Sequence, residues 1–172
     1  MKKQELEQEV LGLLNSQQHG MLSTFAEVDG DDKAAGFPFG SMVRFIICQS
    51  PKHRGLPLVM LSRIAEHSKH IELQSKVSLL VSAEDDETQD LDRQQVARLT
   101  VLGEMMLQHA DDPDLQADAE LYFQQFPESR DYFQLLDFDF YRLHIVKGRY
   151  IGGFARAHWL KGEQFLQATS DA

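Results

Sequence analysis

The apolar residues of this chain come in short runs, five to eleven residues long, and turn-forming residues separate them. Met21–Val28, Ser41–Cys48, Pro57–Leu61, Val77–Val81 and Ala97–Leu107 each read as a strand. Most of their connections are too short for a parallel crossover, so antiparallel pairing follows. Asp29-Gly30-Asp31-Asp32 supplies turn chemistry between the first two runs, and Pro51 and Gly55 do so after the second. Asp137–Val146 and Tyr150–Phe154 read as a final hairpin about Lys147-Gly148-Arg149. Six or seven such strands predict a small antiparallel β-barrel of the α+β class.

Helices are expected at the periphery. Leu6, Val10, Leu13 and Leu14 recur at helical spacing over residues 4–18, and Gly20 reads as the cap that ends this helix. Ser62 is an N-cap for a helix carrying Ile64, Ile71 and Leu73. Asp111-Asp112-Pro113-Asp114 opens a third helix, with acids at its positive end; Pro127 interrupts it, and Ser129–Leu136 forms a short fourth. The segment from Lys161 is a polar tail, read as a short helix. No repeat or Pro-rich linker divides the chain, and residues 1–172 are expected to form one domain, with 1–19 as its N-terminal helix and 161–172 as its tail.

With 17 Lys and Arg against 27 Asp and Glu, the chain has a net charge of −10. That argues against nucleic acid as a partner, because the phosphate backbone would be repelled. No stretch approaches the ~18 apolar residues of a membrane span, and the start of the chain lacks a signal-peptide pattern. With a single cysteine, Cys48, in an apolar run, these features predict a cytoplasmic protein with a buried inert thiol. Acidic residues Glu84–Asp92 read as a solvated loop.

On so acidic a chain, anion binding requires a local basic cluster. Ser62-Arg63-Ile64-Ala65-Glu66-His67-Ser68-Lys69-His70 offers one where a strand delivers the chain to a helix N-terminus. Unpaired N–H groups and the helix dipole favour an anion there. Arg63 and Lys69 add charge, Ser62 and Ser68 hydroxyls, and His67 a ring donor. A capping serine before an exposed polar helix accounts for the same residues. His67 and His70 have metal-compatible spacing, but no further ligand motif completes a set, so no metal site is expected.

A second cluster is Tyr150-Ile151-Gly152-Gly153-Phe154-Ala155-Arg156-Ala157-His158-Trp159. Its glycines permit close approach of a planar ligand. Arg156 can grip a phosphate or carboxylate, and His158 can move a proton. Tyr150 and Trp159 can stack on a ring. A strand end with a glycine bulge is the plainer account of the same residues. Gly36-Phe37-Pro38-Phe39-Gly40-Ser41-Met42-Val43 opens a strand whose backbone could lie against a flavin-like ring; a strand with an irregular entry explains it as well.

Five segments taken in order resemble a known family. They are Gly20-Met21-Leu22-Ser23-Thr24, Phe37-Pro38-Phe39-Gly40-Ser41, Leu61 to His70, Ala97-Arg98-Leu99-Thr100-Val101-Leu102-Gly103-Glu104, and Gly152 to Leu160. Together they resemble the pyridoxamine 5′-phosphate oxidase-related FMN-binding split barrels, in particular the haem-utilisation branch of HugZ/HutZ-like proteins. The likeness spans about residues 5–160.

That resemblance implies a six-stranded antiparallel split β-barrel, paired as a homodimer with FMN at the interface, and oxidoreductase chemistry on a small molecule. By position, Ser41 and Val43 would face the flavin ring, and Ser62, Arg63, His67, Ser68 and Lys69 would surround its phosphate. Arg98 would come from near the interface, Tyr150 would stack on the flavin, and Arg156 and His158 would serve as catalytic residues that bind substrate. Three departures bear on function. The oxidases carry Arg and Lys on the second strand to hold the flavin phosphate, where this chain reads Ser41-Met42-Val43-Arg44-Phe45-Ile46. Leu160 stands where they carry a further arginine, and Lys161–Ala172 contains no histidine to match the iron ligand of the haem-degrading relatives. Haem ligation of that last type is therefore not expected, and haem is the alternative cofactor only with His67, His70 or His158 as a substitute ligand. A barrel that has lost its cofactor and acts as a scaffold is the remaining alternative.

Overall fold

The computed structural model describes residues 3–26, 33, 35–83, 96–135, 137–153 and 156–167. The elements run α1 (Lys3–Ser16), β1 (His19–Phe25), β2 (Pro38–Ile47), β3 (Pro57–Ser62), α2 (Glu66–Leu73), β4 (Lys76–Ser82), β5 (Arg98–Leu107), α3 (Pro113–Gln125), α4 (Ser129–Leu135), β6 (Phe138–Ile151), β7 (Ala157–Lys161) and α5 (Gly162–Gln167). The strands form one antiparallel sheet in the order β3-β2-β1-β4-β5-β6-β7, and β3 also pairs with β6. That last pairing closes β1 to β6 into a six-stranded barrel and leaves β7 as an appended edge. The architecture is the α+β barrel that the strand pattern predicts, in the six-stranded split form that the resemblance implies.

The long strand β6 makes the split. Its first five residues, Phe138 to Arg142, pair with β3, and its last five, Lys147 to Ile151, pair with β7. Its other edge follows β5 along nearly its whole length, with a register shift at Leu102/Gly103. Gly103 is required at that shift, because a Cβ there would strike the backbone oxygen of His144 and meet Leu143 Cδ1 at 2.9 Å. Gly103→Ala is expected to lose ~1–3 kcal/mol by overpacking. Chemical denaturation of the variant checks this, and an unchanged midpoint would contradict it.

Alternation builds the barrel core. Leu22, Val43, Phe45, Leu79, Val81 and Leu99 point inward, and Val10, Leu13 and Leu14 of α1 pack against them. A second cluster lies where α3 covers the β2–β3 side, with Tyr122, Phe123 and Phe126 against Leu58 and Phe140. Cys48 is buried there as a free thiol, and burial raises its pKa, which agrees with an inert side chain. No described helix is long and apolar enough to cross a membrane.

Three local expectations need correction. Gly20 is not a helix cap: it lies in β1, and a Cβ there would come within 2.8 Å of Leu79 Cδ1. Lys147-Gly148-Arg149 is not a turn, because β6 runs straight through it. Gly148 is needed beneath Phe165, whose Cζ would lie 2.6 Å from an added Cβ. The chain reverses instead after Gly152 and Gly153, where Gly153 takes φ +99°. Finally, Ser62 ends β3 rather than capping α2. Ala65 holds the N-cap position and makes no side-chain cap bond. The expected turn at Asp29–Asp32 and the acidic loop Glu84–Asp92 lie outside the described residues.

Candidate functional site

β3 hands over to α2 through a short turn, Arg63 to Ala65, which places His67 in the first helical turn beside strand β2. His67 Nδ1 lies 3.2 Å from Ser41 Oγ. Its other ring nitrogen, Nε2, is buried without a hydrogen-bond partner. When Nδ1–H donates to Ser41, Nε2 is left with an unused lone pair, the arrangement of a metal-ligating imidazole. The ring borders a cavity of about 250 Å³ walled by Met42, Arg44, Met60, Ser62, Tyr122, Tyr132 and Phe138. Burial, followed by the nearby His70 charge, holds His67 below the ordinary histidine value.

The pH consequence follows from that direction. As pH falls through the ordinary value of 6.5, the unfolded chain takes up this proton before the folded one does. Stability therefore falls on acidification in that window and rises with pH through it. The thermal midpoint is expected to decline between about pH 7.5 and about pH 5.5, and His67→Gln is expected to flatten part of the decline. An identical profile in the variant would contradict the buried neutral ring.

The remaining residues of the expected phosphate cradle are engaged elsewhere. Arg63 Nε pairs with Asp139 Oδ2 at 3.0 Å, and Lys69 Nζ with Glu66 Oε1 at 2.6 Å. Ser68 is fully buried, and its hydroxyl donates to the Ser62 carbonyl at 2.7 Å. Val43 is 6% exposed and packs in the barrel core, and it also lines the cavity beside His67. His70 is buried with Nδ1 2.9 Å from Thr24 Oγ1 and its ring edge-on to Phe39, which leaves it poorly placed as a ligand.

The second cluster forms at the other end of β6. Arg156 grips Glu9 of α1 through Nη2, at 2.7 and 2.6 Å to the two carboxylate oxygens. Tyr150 donates its hydroxyl to Glu9 Oε2 at 3.1 Å and is otherwise buried, so it is a wall rather than an exposed stacking platform. The Arg156 hydrogen bond lowers the Glu9 pKa, with smaller contributions from Tyr150 and from the charge of His158. His158 pairs with Tyr150 across the β6–β7 ladder, and Arg98 lies opposite Ile151 at the same end. Nothing local in the sequence marks Glu9, because its partners lie more than 140 residues away.

The two clusters do not meet within one chain. Ser62 pairs with Phe138 at the start of β6, and Tyr150 stands twelve residues further along. At ~3.3 Å per residue this is roughly 40 Å of strand contour. Among the described residues, no group of three or more His, Cys, Asp or Glu is arranged to hold a metal ion.

The family profile described as "CREG, beta-barrel" matches residues 11–167. The chain belongs to this family of split barrels, which are similar to the pyridoxamine 5′-phosphate oxidases. Over 156 residues it is 31% identical to "Non-canonical heme oxygenase HOZ, chloroplastic" of Arabidopsis thaliana, covering 91% of this chain and 43% of that protein. The chain thus spans less than half the length of that relative. Among solved structures, a heme binding protein from Mycobacterium smegmatis aligns with a TM-score of 0.75 and 22% identity, over 93% of this chain and 59% of that one. Campylobacter jejuni ChuZ aligns at 0.75 with 17% identity, over 95% and 62% of the two chains. Vibrio cholerae HutZ, described as a heme storage protein, aligns at 0.61 with 24% identity, over 80% and 88%. At these identities the three structures establish a shared fold.

Proposed function

We propose that this protein binds haem between two copies of the chain and takes part in haem breakdown. The observation that carries the proposal is His67 Nε2, a buried imidazole nitrogen with no partner at the edge of an aromatic- and methionine-lined cavity. The likeness to a heme oxygenase supports the same reading. His67 would face the iron. Arg44 and Arg63 flank the junction and would meet propionates, on exchanging their present partners Glu128 and Asp139. Haem, when bound, would supply an iron centre able to take a protein ligand and to activate dioxygen.

Two observations support a dimer. At about 250 Å³ the His67 cavity is smaller than the ~300–1,000 Å³ of pockets that bury a drug-sized ligand. One chain therefore supplies one wall. The outer sheet face also carries exposed Met42, Met21 and Leu80 in one cross-strand row, with Phe25 beside a groove of about 600 Å³. A second copy covering this face would bury that row and could bring Arg156, His158 and Tyr150 to the first cluster. In that arrangement Arg156 binds an anionic group of the ligand and His158 holds or moves a proton.

An FMN-dependent oxidoreductase is the second reading, favoured by the strand–helix junction with Ser41, Ser62 and His67 around it. It ranks behind haem because the relative that is 31% identical is a heme oxygenase, and because Ser68 of the expected phosphate cradle is fully buried with its hydroxyl on the Ser62 carbonyl. Titrating the purified protein separately with haemin and FMN, followed by mass measurement in solution, decides between them. The expected result is a saturable haem absorption band, no flavin uptake, and a mass of two chains. Flavin uptake without haem binding would replace the proposal with the oxidoreductase, and binding of neither would leave a scaffold barrel.

A further inference from the structure

We propose that the outer face of the β6–β7 ribbon is a docking surface for an acidic protein. The register sets Arg149 opposite Trp159 and Lys147 opposite Lys161. Alternate residues of a strand share a face, so these four side chains stand together outside the barrel. Gly148, Tyr150 and Leu160, which alternate with them, are buried.

Trp159 is 54% exposed, with Lys147 Nζ 4.2 Å and Arg149 Cζ 5.3 Å from its ring centre. Both cations rest on the indole through cation–π attraction. Among the described residues, none of Lys147, Arg149 and Lys161 forms an ion pair. In contrast, Arg44, Arg63, Lys69, Arg130, Arg142 and Arg156 all sit on carboxylates. Acids are not scarce, because the chain has ten more of them than bases. Among the described residues Lys52 and Lys76 also lack an ion pair but stand apart; what sets this surface off on an acidic molecule is that three such cations gather at one exposed indole.

That exception fits one kind of partner. Tryptophan and arginine are enriched where interfaces concentrate their binding energy. An acidic protein is repelled by the rest of this molecule and attracted here, so the field both orients and accelerates its approach. Protection of an edge strand accounts for Lys161 on β7. It does not account for Lys147 and Arg149 on the strand inside it, or for the open indole. The inference is independent of which cofactor the barrel holds.

Trp159 is the only tryptophan of the chain, so its fluorescence reports on this surface directly. The intact protein is titrated with a poly-L-glutamate peptide. A saturable change in emission is expected, weakened at least tenfold by the double variant K147E/R149E. It is also expected to weaken as ionic strength rises from about 0.01 M to about 0.15 M, where screening shortens from ~30 Å to ~8 Å. Calorimetry on W159F, which keeps every charge, is expected to show weaker peptide binding, a loss that nonspecific charge attraction would not produce. Thermal unfolding of each variant confirms that it remains folded. The proposal is overturned by the absence of saturable binding, or by equal binding in K147E/R149E. It is also overturned by tighter binding of a DNA duplex or phosphatidylglycerol vesicles than of the peptide. A shift of K147E/R149E from dimer to monomer would instead assign the surface to self-association.

Discussion

Asp118→Ala is expected to cost about 3–5 kcal/mol, the range for removing one partner of a buried ion pair. Asp118 and Arg142 are both fully buried and joined at 3.1 Å. The same carboxylate accepts the backbone N–H groups of Gln49 and Ser50 at 2.9 and 3.0 Å, and the Ser50 hydroxyl at 2.7 Å. Alanine would therefore strand a guanidinium and release the β2–β3 loop from α3 in a single change. Gln108 and Asp112 still hold Arg142 Nη1, but Nη2 would have no acid to face. A thermal midpoint lower by on the order of 10 °C is expected for a chain of this size. Asp118→Asn should fall between, because its amide oxygen can keep the loop N–H bonds while the charge is lost. A melting curve for Asp118→Ala that overlays the wild type would contradict the role of this pair.

Much of the barrel is legible in the sequence because its strands alternate cleanly. β1, β4 and β5 place every second side chain inside, and the apolar runs that mark them in the sequence match those strands to within a few residues. Two of the three errors in the elements fall on glycines. Gly20 and Gly148 are glycine because Leu79 and Phe165 press against their backbones, and a sequence cannot distinguish such close packing from a turn. The site is less legible, for two physical reasons. Charge alone does not reveal that Arg63 and Lys69 already face Asp139 and Glu66. The walls beside His67 come from Met42, Met60, Tyr122 and Tyr132, residues whose side chains look like ordinary core or helix surface until the chain folds. Glu9 escapes notice in the same way, as one of several acids on the polar face of α1.

The second large effect concerns His67 itself. Burial leaves the ring neutral near pH 7, with Nδ1 beside Ser41 and Nε2 buried without a partner in a ring that borders the cavity. Truncation to alanine removes the one imidazole that borders this cavity among the described residues and leaves the barrel core untouched. Haem affinity is expected to fall at least tenfold, a loss of about 1.4 kcal/mol or more. Added imidazole is expected to restore the absorption band in part, as a free ligand enters the space the side chain vacated. His158→Ala, on β7 opposite Tyr150, removes the proposed proton-carrying group and not the iron-facing one, so the band position is expected to stay unchanged.

The most direct measurement is a haemin titration of wild type and His67→Ala followed by absorption spectroscopy. A saturable band in the wild type, with a weaker and displaced one in the variant, is the predicted result. Equal affinity and the same band position in both proteins would contradict His67 as the iron-facing residue.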